Sequence, residues 1–268
     1  MANVDRVGER NINNFGSEMI IINSYTEFNS KYNRNYAYID VYFPRYNWTF
    51  KGATYQSFKN SQIKCPYEKR TYGMGYLGEG KYKGKENGKP TKCYDTWKSM
   101  LERCYDPKYH EKEPTYIDCK VCDEWLCFQN FAEWFYDNYY EVEGERMTLD
   151  KDILNKGNKI YSPENCVFVP HHINNLFIKR NKLRGYYPIG VYYHKASEKF
   201  QAQCNIYNYK ENKKEKHSLG YYDTPQKAFE VYKEFKERYI KKVANYYKDK
   251  IPSKLYDSLC NYEVDIND

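Results

Sequence analysis

Between Leu149 and Phe177 the chain reads LDKDILNKGNKIYSPENCVFVPHHINNLF. Two aspartates, Asp150 and Asp152, stand at its start, Asn165 in its middle, and His171, His172 and Asn174 near its end. Carboxylate and amide oxygens are hard donors suited to Mg²⁺ or Mn²⁺, ions that stabilise charge on a phosphodiester during displacement. A neutral imidazole takes a proton from water near pH 7, whereas a lysine such as Lys151, with a reference pKa of about 10.4, does so only when strongly perturbed. The chemistry to test for is metal-assisted hydrolysis. The plainer alternative is a polar hairpin and helix, with the histidines facing solvent in a first helical turn.

The elements that must position these groups follow from local pattern. MTLDKDI reads as a strand, NKGNK as a turn and NCVFVP as a second strand. Pro170 then opens a helix, HHINNLFIKR, where proline is tolerated. Strand, turn, strand, helix outlines a ββα unit. Upstream, Tyr94, Trp97, Leu101 and Cys104, and then Phe128, Phe131, Trp134 and Phe135, recur at helical spacing and predict the core of a small domain. The first 70 residues are β-rich, with EMIIINSY, YAYIDVYF and WTFKGATYQSF set between Asn- and Lys-rich turns, and predict a small barrel or sheet. Residues 72–90 are rich in Gly and Lys and read as a linker or long loop. Their G-x-G-x-x-G match at Gly73, Gly75 and Gly78 lacks the preceding strand and following helix of a dinucleotide site, so no nucleotide cofactor is expected. The last segment offers three strands, IGVYYH, KFQAQCNIY and KHSLGYYD. A helix follows, with Thr224 as N-cap, Pro225 in its first turn and a stripe of Ala228, Val231, Tyr232, Phe235, Tyr239 and Val243.

Charge is unevenly distributed along the 268 residues. The net charge is +7, yet residues 176–254 hold 19 Lys and Arg against 8 Asp and Glu, while residues 255–268 carry four acids and no base. A basic block after a neutral body is the footprint of a polyanion partner. The 33 tyrosines invite a base-stacking reading, but Tyr, Asn, Lys and Ile share A/T-rich codons, and composition alone carries little function. No apolar run reaches the roughly 20 residues of a membrane span, and the start MANVDRVGER lacks the apolar core of a secretory signal. Nine cysteines without export point to reduced thiols in the cytoplasm. Cys119 and Cys122 form one C-x-x-C, with Cys104, Cys127 and Cys166 nearby in sequence; structural zinc usually needs two close pairs, so buried thiols are expected.

The arrangement YDTWKSMLERCY, VCDEW, LDKDI, YSPENCVFVP and INNLF resembles the phage-type HNH endonuclease domain of the His-Asn-Asn variant, found in homing endonucleases, over residues 92–180. The resemblance implies a ββα-metal hairpin holding one Mg²⁺ or Mn²⁺, with Asp150 as strand ligand and Asn174 as helix ligand. It further implies that Asn165 braces the loop between the strands. The family's general-base His falls on Lys151, so the base stays open among Lys151, His171 and His172.

The block IGVYYHKASEKFQAQCNIYNYKENKKEKHSLGYYDTPQKAFEVYKEF resembles the Apetala-type (ethylene-response-factor-like) DNA-binding domain over residues 184–246. That family inserts a three-stranded sheet into the major groove with the helix behind it. Alternation places Phe200, Ala202, Cys204 and Ile206 toward the helix, and Lys199, Gln201, Gln203 and Asn205 on the other face. Gln and Asn pair with adenine, and Lys engages phosphate or guanine. Tyr193 and Lys195 join this expected DNA-binding set.

The expectation is an α+β chain: a β-rich accessory domain over 1–71, a linker over 72–91, an HNH-like ββα domain over 92–180, a three-stranded sheet plus helix over 184–246, and an extension with an acidic tail over 247–268. Its expected function is metal-dependent cleavage or nicking of double-stranded DNA in the cytoplasm of a bacterial host. The alternatives are a DNA-binding regulator that keeps the nuclease fold without catalysis, or a host-directed protein whose residues 1–71 bind a partner.

Overall fold

A computed structural model describes residues 5–30, 33–178, 186–208 and 213–266. The chain is α+β, with several small sheets, and divides into two compact units, Met1–Asp137 and Asn138–Asp268. Among the described residues no helix is long and apolar enough to cross a membrane.

The first unit opens with a four-stranded antiparallel sheet in sequence order: β1 (Arg10–Ile12), β2 (Glu18–Asn29), β3 (Arg34–Phe43) and β4 (Trp48–Ala53). Met19 and Ile21 of β2 and Ile39, Val41 and Phe43 of β3 alternate onto one buried face, the two-residue period of a half-buried strand. A register shift between Ile21 and Asn23 leaves Ile22 exposed, as expected where one extra residue bulges a strand. The short helix α1 (Tyr55–Lys59) closes this core with Phe58, and the Thr54 hydroxyl accepts the Ser57 N–H at its start.

The Gly- and Lys-rich stretch after residue 71 is a loop tied to the rest of the unit. Tyr76 N–H donates to Leu126 O, Phe128 N–H donates to Tyr76 O, and Tyr82 exchanges both backbone bonds with the Gln129 amide. A Cβ on Gly75 would stand 2.4 Å from Leu101, and one on Gly78, whose φ is +68°, 2.5 Å from the Cys127 sulfur. These glycines serve close packing. The helices Lys92–Tyr105 and Phe128–Asn138 bury Trp97, Leu101, Cys104, Phe128, Phe131 and Phe135, and Trp97 Nε1 donates to Trp125 O at 2.7 Å.

The second unit is organised by one helix, Pro225–Tyr247, begun by Pro225 and by the Thr224 hydroxyl, which accepts the Lys227 N–H. Its first half buries Ala228, Phe229 and Tyr232 against Val191, Ala202 and Cys204 of a three-stranded antiparallel sheet, Val191–His194, Lys199–Asn208 and Lys213–Tyr222. Its second half buries Ile240, Val243, Ala244 and Tyr247 in another core. That core holds Val167 and Val169 of an antiparallel hairpin, Met147–Asp150 with Val167–Pro170, and Ile173 of the four-residue helix His171–Asn174 that follows. Leu255 and Leu259 of a last helix, Ser253–Cys260, complete it. Residues 247–268, expected as an extension, therefore supply part of the hairpin's interior. The stretch 92–180 contributes to both units, with the boundary at Asp137. The helix expected over HHINNLFIKR stops at Asn174 and continues only as a 3₁₀ turn, Asn175–Phe177. Asn is a weak helix former that competes for backbone hydrogen bonds, and Ile178 is already extended. Residues 179–185 lie outside the described residues.

Candidate functional site

Asp150 ends its strand opposite Val167. Its Oδ1 accepts the N–H groups of Asp152 and Ile153 at 2.9 and 2.8 Å, which folds the chain back immediately after the strand. Burial, and then the Asp152 carboxylate, push the Asp150 carboxyl up to about 6, against the two N–H groups that hold it down. Lys151, 7% exposed, turns inward. Its Nζ lies 3.3 Å from Asp152 Oδ2 and 5.8 Å from the Tyr161 ring centre. Asn158 donates at 2.7 Å to Lys151 O and also to Ile160 O. Asn165 donates to Asn158 Oδ1 at 3.3 Å and accepts from Asn155 at 2.9 Å. Asp150, Lys151 and Asn165 thus belong to one hydrogen-bonded loop.

The histidines belong to different surroundings. His171 N–H donates to Arg146 O at 2.8 Å, and its buried Nδ1 meets no hydrogen-bond partner among the described residues. Burial, followed by the Arg146 charge, holds its pKa below the usual imidazole value. His172 Nδ1 lies 2.6 Å from Glu145 Oε1, which also accepts from Tyr247 OH at 2.5 Å. The His172 ring sits 4.2 Å from that of Tyr207, on the three-stranded sheet. Asn174 is half-buried. The base candidates are therefore dispersed: Lys151 is ion-paired in the loop, and His172 is held between Glu145 and the sheet.

The hard oxygen donors around Asp150 are its own carboxylate and that of Asp152, the latter already 3.3 Å from the Lys151 ammonium. Two carboxyls held close enough to raise one pKa are stabilised by a proton or by a divalent ion. Among the described residues, no three His, Cys, Asp or Glu side chains gather as a metal-binding group. All nine cysteines are free thiols, and the Cys119 Sγ–H is directed at Thr115 O.

The sheet's register decides which side chains share a face. Tyr192 pairs with Gln201, and Tyr193 with Phe200, so Tyr193 stands on the helix side and touches Phe200 at 5.4 Å. This differs from the expectation for Tyr193; it is Tyr192 that flanks Gln201. Across the next strand Gln201 faces Tyr221, Gln203 faces Ser218, Asn205 faces Lys216 and Tyr207 faces Lys214. Gln201 Nε2 donates to Ser218 Oγ at 3.0 Å. Lys195 lies beyond the strand end in the turn, and Lys199 is paired with Asp223 at 3.1 Å.

One half of this face is walled. Beyond Gly190, whose carbonyl accepts the Gln203 N–H, no strand among the described residues pairs with the middle strand on its first-strand side. A groove of about 540 Å³ opens there, lined by His172, Asn175, Gln203, Asn205, Lys214 and Lys216, with Tyr232 and Lys236 of the long helix also lining it. Gly190 (φ +78°) is needed at its edge, because a Cβ would stand 2.1 Å from the Tyr232 ring.

Asp152, Glu145 and the groove lysines were not assigned from sequence. D-x-D at 150–152 was a legible signal. So was Lys236, which stands at four-residue spacing among Ala228, Tyr232, Ile240 and Ala244 in an otherwise apolar row. Comparison of the chain with family models, curated proteins and solved structures finds no match.

Proposed function

We propose that the chain is a DNA endonuclease of the HNH type, in which the polar sheet face binds DNA and the hairpin carries a divalent cation. The observation that supports this best is the Asp150 carboxyl, kept half-buried beside Asp152 at the strand end of a ββα hairpin. Asp150, with Asp152 or Asn174, would hold Mg²⁺ or Mn²⁺. When bound, such an ion lowers the pKa of its water and stabilises the charge of the displaced phosphodiester. The chain's own residues then have separate tasks. Asn165 and Asn158 hold the loop, Lys151 neutralises Asp152 from within, and Tyr192, Gln201 and Ser218 present hydrogen-bonding groups to DNA.

A second reading, a DNA-binding protein that does not cleave, is favoured by Lys151. It occupies the position of the family's base, yet it is buried and ion-paired. Plasmid nicking separates the two readings. Under the nuclease proposal the wild type nicks DNA in Mg²⁺ or Mn²⁺, Asp150→Ala abolishes nicking while DNA binding stays nearly intact, and Lys151→His raises the rate. If neither the wild type nor Lys151→His nicks a broad pool of sequences with either metal, the non-cleaving reading stands.

A further inference from the structure

Lys236 is the second unit's oddest placement. It occupies the middle of the long helix's buried row, is 8% exposed, and lines the groove beside the sheet. Among the described residues no carboxylate and no hydrogen-bond acceptor meets its Nζ. Burial lowers the pKa of its ammonium, an effect the neighbouring Cys204 thiol offsets only in part. Apolar residues hold the helix positions one turn away on either side, Tyr232 and Ile240, and an apolar side chain would fit here without the cost of dehydrating a charge. The groove's other lysines are Lys214 and Lys216, and among the described residues no Asp or Glu lines it. Three lysines lining one cleft, with no counter-charge among the described residues that line it, make a site for an anion.

The cleft's form narrows the choice of anion. About 540 Å³ is the capacity of a site for a nucleotide-sized molecule, and it is walled on one side by the segment His172–Ile178. Asn205 and Gln203 present amides, and Tyr192, 46% exposed, offers a ring face at its rim. Phosphate-binding lysines next to amides and an open aromatic face form the combination that tracks single-stranded nucleic acid.

We infer that this groove binds an unpaired nucleotide of a DNA strand, one flanking phosphate on Lys236 at the helix side of the open strand edge, the other on Lys214 and Lys216 at the outer face, and its base against Tyr192. This rests on the proposed DNA-binding function and narrows it: the preferred ligand is a duplex with a single-stranded extension or an extruded nucleotide, not a blunt duplex.

Fluorescence anisotropy on the full chain, without added divalent metal, tests the inference. The probes are a blunt duplex, the same duplex with a short single-stranded tail, and a free deoxynucleoside monophosphate as competitor. The tail is expected to raise affinity about tenfold, the scale of one stacked base. Lys236→Met should remove that gain while changing blunt-duplex affinity less than about twofold. Replacing an unpaired buried charge by an apolar side chain should not lower Tm. Lys216→Ala, an exposed wall position, should reduce the gain without any question of folding. The inference is overturned if the tail adds nothing, if its gain survives Lys236→Met, or if the monophosphate competes as well as the tailed duplex, which would make the groove a free-nucleotide pocket. Blunt duplex bound with no gain from the tail would sink this inference alone; binding to neither duplex would sink the proposed function with it.

Discussion

The Asp150 carboxyl is half-buried, accepts two backbone N–H groups and faces Asp152, and the balance leaves its pKa at about 6 against an ordinary 3.8. A folded-state pKa raised above the unfolded one means that the group's contribution to stability is complete below about pH 4. It is lost as pH rises through about 6. In the metal-free chain at neutral pH the ionised side chain therefore costs on the order of 2–3 kcal/mol. Asp150→Asn keeps an oxygen for the two N–H groups but cannot ionise. It should melt at a higher temperature than the wild type at pH 7 in chelator, and the difference should vanish near pH 4. Added Mg²⁺ should stabilise the wild type and leave Asp150→Asn unmoved, because a ligand stabilises only the state that binds it. Thermal melts over that pH range check this; an unchanged melting point in Asp150→Asn at pH 7 would show that the carboxyl is already well solvated.

At the scale of elements, the long helix Pro225–Tyr247 is the shared wall of two cores. Ile240 is fully buried beneath the hairpin, so Ile240→Ala should destabilise by about 2–5 kcal/mol through lost burial and a residual cavity. If the helix unfolds as one cooperative element, amide protection should fall together at Val167 and Val169 in the hairpin and at Ala202 and Cys204 in the sheet. Hydrogen exchange that weakens only in the hairpin would mean the helix's two halves open separately. Much of this arrangement was legible beforehand. The hairpin strands, the Thr224–Pro225 start and most of the helix stripe follow from two- and 3.6-residue periods and from cap chemistry, which are local. Other features were not local. The side on which Tyr192 and Tyr193 fall depends on pairing register, and a slip of one residue exchanges the faces. Leu255 and Leu259 sit in a short helix whose partners, Val167 and Val169, are remote in sequence. The loop around Asp150 was legible in residue type, yet the inward turn of Lys151 onto Asp152 and Tyr161 required the tertiary fold.

For the molecule as a whole, binding is expected to be electrostatic. The basic block over 176–254 holds 19 cationic side chains against 8 acidic ones, and Lys195, Lys199, Lys214 and Lys216 lie on or beside the sheet. If about four of them meet phosphates, affinity for duplex DNA should fall about 100-fold between 50 and 200 mM salt, as condensed counterions are released. A titration across that range measures the slope, and a flat response would rule out this mode of binding. The shared core also bears on synthesis. The hairpin emerges from the ribosome well before the helix residues that bury it, and at ordinary elongation rates Leu259 follows Val169 by on the order of ten seconds. Until then Val167 and Val169 stay wet, and Asp150 is an ordinary solvated acid without its brace. A nascent chain, or one cut short by a premature stop before Leu255, has every residue of the candidate cation site but lacks part of the core that holds it. Activity, whatever its target, would wait on the synthesis of Leu255 and Leu259.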